Sequence, residues 1–315
     1  RTLPGISKMK NIIIVTGGAG FIGSHIVDRL IVEGFDVAIL DNISSGNRLN
    51  INNEAKLYEV DLYNGDISSV IKDFQPNLIF HLAAQSSVSV SESNPIEDAR
   101  NNILGSLNLY KACHNTSVEK IILSSTGGAI YGNQNEFPCS ENSSLNPISP
   151  YGVSKLSSEK YLEVFAELYG YQYTILRYGN VYGPRQNPSG EAGVISIFAG
   201  LLLKGESVKI FGDGSQQRDY IYISDVVDAN LLATNAPNKS IYNISANKAT
   251  SVIEIFTMIK SLTKSTNTPV FMPRRKSDVD KIVLNNSKAT KELKWMPKVS
   301  LEDGIANTIN YLKMN

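Results

Sequence analysis

Ile12-Ile13-Ile14-Val15-Thr16-Gly17-Gly18-Ala19-Gly20-Phe21-Ile22-Gly23-Ser24-His25 opens a stretch that closes on Val37-Ala38-Ile39-Leu40-Asp41, and its reading decides the fold. The apolar run 12–15 is short, β-branched and followed at once by glycines, the pattern of a strand buried on both faces of a parallel sheet. From Phe21 the apolar residues recur at helical spacing, at Ile22, Ile26, Val27 and Leu30. A strand, a glycine turn and a helix in succession set backbone N–H groups and a helix N-terminus where an anion can sit. Gly17, Gly20 and Gly23 allow a tight turn, close approach of the backbone to a pyrophosphate, and a helix lying against the strand. Gly18-x-Gly20-x-x-Gly23 fits the same fingerprint, so two registers compete. The second strand, 37–40, ends at Asp41, eighteen residues after Gly23. A carboxylate there accepts the 2′-hydroxyl of an adenosine ribose and repels a 2′-phosphate. A glycine triplet alone also fits an unliganded αβ turn. The strand before it, the helix after it and the acid at the next strand's end predict a dinucleotide site, with NAD preferred over NADP.

Thirty basic and thirty acidic side chains among 315 residues cancel, and 42% of residues are hydrophobic. This is an ordinary globular composition, long enough for one large domain or one and a half. Zero net charge and the lack of a basic stripe argue against a nucleic-acid partner. No apolar run approaches the ~20 residues of a membrane span. Two cysteines, Cys113 and Cys139, make no disulfide framework, and a reduced cytosolic compartment is the default expectation. Residues 1–8 precede Met9, carry no periodic pattern, and read as an expression remnant rather than a targeting peptide.

Farther along, strands are expected at 56–60, 78–80, 120–123 and 173–177, with helices at 67–74, about 95–114 and 151–169. Repeated strand–helix alternation predicts right-handed βαβ units and an α/β fold with a doubly wound parallel sheet, the Rossmann arrangement. Ligands bind outside the carboxyl ends of such strands, where Thr16–Gly20, Asp41, Asp61-Leu62, His81–Gln85 and Ser124–Thr126 would lie. Beyond Gly179 the alternation breaks up among loops rich in Gly, Pro and Asn. The division expected is therefore a dinucleotide-binding domain over 9–178 and a smaller α/β substrate lobe over 179–315, with a soft boundary across which strands interleave. His25, His81 and His114 gather no partners, so no metal site is expected.

Tyr151 and Lys155 sit four apart at the start of a helix and share one face. A phenol is a poor base at neutral pH, with an ordinary pKa of about 10. An ammonium beside it, or a positively charged nicotinamide ring, favours the phenolate. Such a pair can take a proton from a sugar hydroxyl while hydride leaves the same carbon. A surface Tyr and Lys one turn apart are also common. What distinguishes this pair is that it follows a dinucleotide fold and the hydroxyl cluster Ser124-Ser125-Thr126 at a strand end.

Taken together, Thr16-Gly-Gly-Ala-Gly-Phe-Ile-Gly23, Asp61-Leu62, His81-Leu-Ala-Ala-Gln85, Ser124-Ser-Thr126 and Tyr151-x-x-x-Lys155 resemble the extended short-chain dehydrogenase/reductase superfamily. Within it the chain resembles the NAD-dependent nucleotide-sugar epimerases, the UDP-glucose/UDP-galactose group most closely, from Lys10 to Leu312. The resemblance implies that Tyr151 is the base for the sugar 4-hydroxyl and that Lys155 binds the nicotinamide ribose and tunes Tyr151. It implies that Thr126, with Ser125, bridges the sugar hydroxyl and Tyr151, the choice between the two staying open. Gly17, Gly20, Phe21, Ile22, Asp41, Asn42, Asp61, Leu62, Leu82, Ala83, Ala84, Gln85 and Tyr178 would line the NAD site together with the Tyr/Lys pair. Asn180 would meet the substrate phosphate, Val194 and Phe198 would grip the nucleotide, and Phe211 would stack on uracil. Arg218, and Arg275 with Asp278, resemble the phosphate- and ribose-binding residues. Two arginines suit a diphosphate and an acid suits ribose hydroxyls. Each has a plainer reading too: Arg218 as a surface ion pair, residues 274–276 as a solvated basic run, Phe198 and Phe211 as core.

Related nucleotide-sugar dehydratases carry an acid just after the Ser/Thr position, whereas here Gly127-Gly128-Ala129 follows Thr126. Elimination is therefore disfavoured, and oxidation with re-reduction at one carbon remains. The expected activity is NAD-dependent 4-epimerisation of a UDP-hexose through a transient 4-ketose. UDP-N-acetylhexosamine and UDP-glucuronate are alternative substrates, and a non-catalytic dinucleotide sensor, which would usually lack the Tyr/Lys pair, is the rival of another class. Helix pairing between two copies would give a homodimer, as in the family, with Ile103, Leu107, Leu162 and Phe165 available for it.

Overall fold

β-branched residues with no polar neighbour on either face belong between other strands, and the computed structural model, which describes residues 12–188, 193–275 and 279–314, places the run 12–16 there. Twelve strands are found among the described residues: β1 (Ile12–Thr16), β2 (Asp36–Asp41), β3 (Lys56–Glu59), β4 (Leu78–His81), β5 (Lys120–Thr126), β6 (Gln172–Tyr178), β7 (Asn180–Tyr182), β8 (Lys209–Phe211), β9 (Gln217–Tyr222), β10 (Ser240–Ile244), β11 (Ala249–Ser251) and β12 (Val270–Met272). Seven of them form one sheet in the order β10-β6-β5-β4-β1-β2-β3. β1 pairs in parallel with β2 on one side and β4 on the other. The strand order therefore reverses between β1 and β4, which is where a doubly wound sheet opens a crevice for ligands. The α/β, doubly wound reading is the fold observed.

The chain divides into two units. The first takes the residues up to Thr126, then Ser149–Arg177 and Val227–Tyr242; the second takes Gly127–Ile148, Tyr178–Val226 and everything from Asn243. The core of the first unit gathers Ile14, Ala38, Leu40, Ile79, Ile121 and Leu123 from the strands with Leu109, Tyr110 and Leu162 from helices. The core of the second gathers Ile195, Phe198 and Leu202 with Ile255, Phe256, Ile259, Ile305 and Ile309. In the second unit β9 lies between β11 and β7, and β8 pairs in parallel with β12.

Local chemistry sets the helix ends. Asp66 caps the helix Ile67–Phe74 by accepting from the Ser69 amide, and Ser149 caps Pro150–Tyr169 by accepting from the Gly152 amide. Pro150 is tolerated at that first position because its missing N–H has no intrahelical partner to lose. One expectation is corrected here. The segment expected as a single helix over 95–114 is a short helix Pro95–Ala99, a π-helical turn Arg100–Leu104 and a second helix Gly105–Ala112. Apolar periodicity cannot separate one register from the other, because a π turn inserts only one residue. A further helix, Val88–Ser93, precedes them.

Candidate active site

Gly17 opens the loop after β1 with φ +70°, a conformation that costs glycine little. It also lies so near β4's exit that a Cβ there would stand 2.8 Å from the Ala83 amide nitrogen. Gly23 is as tightly placed, since a Cβ would meet the Gly17 carbonyl oxygen at 2.2 Å. Gly20 differs: a Cβ on it would meet only that oxygen, at 3.1 Å. Gly20 is also the N-cap of the helix Phe21–Val32, which no side chain caps and whose first turn holds no acid. Closely packed glycines thus present an uncapped helix N-terminus with no side chain over it, the cradle a pyrophosphate requires. The Thr16 hydroxyl fixes the two strand ends by accepting from the Leu82 and Ala83 amides, each at 3.1 Å. It also bonds His81 Nδ1 at 2.8 Å, while Nε2 meets Ser106 Oγ at 2.9 Å. Burial, with the Lys155 charge added, holds that imidazole at a pKa of about 3, so it works as a neutral strut.

At the end of β2, Asp41 accepts from the Ala19 amide at 3.0 Å and the Ile43 amide at 2.8 Å. A carboxylate has about four acceptor positions, so room remains for a ribose hydroxyl. Asn42 donates to Asp61 at 2.6 Å, and the other Asp61 oxygen accepts from the Tyr63 and Asn64 amides. Leu62 is buried in the first unit's core, whereas Phe21, Ile22, Leu82, Ala83, Ala84 and Gln85 are half-buried. These groups fit NAD: an anion cradle, an acid at the second strand's end, and small side chains where β1 and β4 part.

The hydroxyl cluster on β5 is resolved by strand alternation. Ser125 is buried and donates to Glu159, whereas Ser124 and Thr126 are half-buried on the opposite face. The Thr126 hydroxyl is near enough to Tyr151 to draw the phenol's pKa down. Lys155, one turn on, is buried and donates Nζ to the Ser124 carbonyl at 2.6 Å. Burial pushes the Tyr151 phenol above its ordinary pKa, the Asp98 charge adds to this, and the Thr126 hydrogen bond opposes it. Burial also draws Lys155 down to about 8, against the upward pull of Glu159 and Asp98. Burial therefore holds the phenol protonated at neutral pH, and the Thr126 hydroxyl eases it toward ionisation.

Five residues around this pair carry no motif. Glu159, fully buried, receives the Arg177 guanidinium at 2.7 and 3.1 Å as well as the Ser125 hydroxyl. Its place four residues after Lys155, on the face of Tyr151, was available as a signal; so was a lone arginine in an apolar strand. Asp98, also fully buried, accepts from Gln85 at 2.8 Å, Asn102 at 2.9 Å and Ser154 at 2.6 Å. An acid in a helix's first turn ordinarily serves the helix dipole, so nothing local marks it as buried.

In the second unit, Tyr178 ends β6 and is buried, and Asn180 begins β7 with its side-chain oxygen lacking a hydrogen-bond partner. Val194 starts the helix Val194–Leu203. Phe198 is core, edge-on to Phe256 at 6.3 Å. Arg218 lies half-buried on β9 with Nη1 donating to the Gln217 carbonyl. The Arg275 guanidinium covers the Phe211 ring at 3.8 Å, bringing two expected nucleotide contacts together. Asp278 lies outside the described residues, as do residues 1–8. Gly127 begins this unit, and a Cβ on it would stand 2.3 Å from a methyl of buried Leu284, so an acid after Thr126 would have to displace that side chain.

Residues 13–245 match the NAD dependent epimerase/dehydratase family, and the chain belongs to that family. A UDP-glucose 4-epimerase of Mycolicibacterium smegmatis is 40% identical over 306 residues, covering 95% of this chain and 98% of the relative. A Thermotoga maritima UDP-glucose 4-epimerase solved with UDP-glucose superposes at a TM-score of 0.94 with 49% identity, covering 96% and 98% of the two chains. A Thermus thermophilus UDP-glucose 4-epimerase in complex with NAD superposes at 0.90 with 40% identity and the same coverage.

Proposed function

We propose that the protein is an NAD-dependent 4-epimerase interconverting UDP-glucose and UDP-galactose. The observation that carries this reading is the Thr126 hydroxyl acting on the buried Tyr151 phenol with buried Lys155 one turn along, at the sheet edge that also bears the glycine cradle. NAD, when bound, would supply the hydride acceptor for C4 and a positive ring that favours the phenolate. Gly17, Gly20, Phe21 and Ile22 would hold its pyrophosphate side, and Asp41 and Asn42 its ribose. Asp61, Leu62, Leu82, Ala83, Ala84, Gln85 and Tyr178 would line the rest. Tyr151 takes the proton of the 4-hydroxyl through Thr126 and gives it back when the ketose is reduced. Ser125 is left to Glu159, so we assign the bridge to Thr126 alone. Lys155 holds the nicotinamide ribose.

Epimerisation requires the hexose to turn over while the nucleotide stays put, so the anchoring groups must act on the diphosphate and nucleoside. Asn180, Arg218 and Arg275 suit the phosphates, Asp278 the ribose, and Val194, Phe198 and Phe211 the uridine. A homodimer and a cytosolic location belong to the same proposal. Exposed apolar side chains at Ile96, Leu104, Val153, Val164 and Leu168 support the first, and the buried free thiols of Cys113 and Cys139 support the second.

The test is turnover of UDP-galactose, coupled to oxidation of the UDP-glucose formed, run beside UDP-N-acetylgalactosamine and UDP-glucuronate. The plain hexose should react fastest, and preference for another would reassign the substrate. Tyr151→Phe should lower kcat by at least about a thousandfold while NAD remains bound; undiminished turnover would remove Tyr151 as the base.

A further inference from the structure

Asp98 is a fully buried carboxylate for which the mechanism above has no use. Its two oxygens join three separate pieces of the first unit. One oxygen accepts from Gln85, on the loop leaving β4, and from Asn102, in the π-helical turn. The other accepts from Ser154 at 2.6 Å, and Ser154 stands on the helix between Tyr151 and Lys155. Asn102 strengthens the same junction by accepting from the Gln85 amide and donating to the Gln85 carbonyl, each at 2.8 Å.

We propose that Asp98 is a positioning residue for the epimerase reaction: one buried carboxylate clamps the Gln85 loop to the helix of Tyr151 and Lys155 and sets the charge balance around that pair. The inference rests on the reading of Tyr151 as base and of Gln85 as lining the cofactor site. The three donors that meet the carboxylate are two amides and a hydroxyl, all from neutral residues. The ionisable groups that feel it are Tyr151 and Lys155, with Glu159 acting on Lys155 from the same helix. Beside it, the Glu97–Arg100 ion pair is partly solvent-exposed and screened. A negative charge here keeps the phenol protonated and the lysine charged until the cofactor's positive ring is present.

Asp98→Asn keeps the shape and the acceptor toward Gln85 and Asn102 while removing the charge. Its kcat–pH profile should move its acid limb to lower pH by about one unit. Ser154→Ala keeps the charge and cuts the link to the helix, so kcat should fall about tenfold or more with that limb in place. An unmoved limb in Asp98→Asn together with wild-type kcat in Ser154→Ala would overturn the proposal. Should Asp98→Asn fail to fold, Ser154→Ala alone decides, with unchanged kcat counting against the clamp. Tyr151→Phe separates the two levels. If it stays active, the reading beneath falls; if it is inactive while both variants behave as wild type, only the clamp falls.

Discussion

Lys155 shows how a residue placed for chemistry works against the fold. Its ammonium is buried, and the pKa of about 8 means the folded chain holds that proton less tightly than the unfolded chain, where the ordinary value is 10.5. Below pH 8 both states are protonated and the burial penalty is fully present. Between 8 and 10.5 the unfolded state binds more protons, so stability from this group climbs with pH. Cofactor-free Lys155→Met should therefore be more stable than the parent at pH 7, by on the order of 1 to 3 kcal/mol, with the gap closing by pH 10.5. Thermal melts of the stripped proteins at pH 7 and 10 measure this, and a variant less stable at both would contradict it. The sequence made Tyr151 and Lys155 legible as a pair because spacing along a helix is local. It left Ser125 against Thr126 open, since which neighbour faces the phenol depends on the register of β5, and burial shows that only in three dimensions. Asp98 was invisible for a like reason: a charge's burial is a property of what packs over it.

At the scale of an element, the turn from β1 into the helix Phe21–Val32 gives each glycine a separate duty. Gly23 lets the helix touch the turn, whereas at Gly20 a Cβ would meet one backbone oxygen, at 3.1 Å. Gly23→Ala should cost about 1–3 kcal/mol of stability and NAD affinity with it. Gly20→Ala should fold with a change below about 1 kcal/mol yet raise the NAD dissociation constant at least about tenfold. Denaturant titration paired with NAD titration separates the two, and equal stability loss in both would refute the division of labour. Strand–turn–helix units such as this one were readable because each is written in contiguous residues. β7, β9, β11 and β12 were not, being three to six residues long and held by partners distant in sequence. The broken helix at Arg100–Leu104 likewise leaves the apolar period nearly unchanged.

For the whole molecule, charge neutrality and the apolar side chains exposed on two helices of the first unit frame the question of assembly. Val164 is 54% and Leu168 67% exposed, while Leu162, expected at the same face, is fully buried in the core. Val164→Glu with Leu168→Glu should halve the mass seen by light scattering without unfolding the chain, and an unchanged mass would place any dimer elsewhere. The neighbourhood of Gly127 has a longer reach. Because Leu284 already occupies the space beside it, an aspartate introduced there would have to displace that buried side chain, and Gly127→Asp alone should lose stability rather than become a dehydratase. Acquiring the acid that sugar elimination needs would therefore involve two positions, 127 and 284, rather than one.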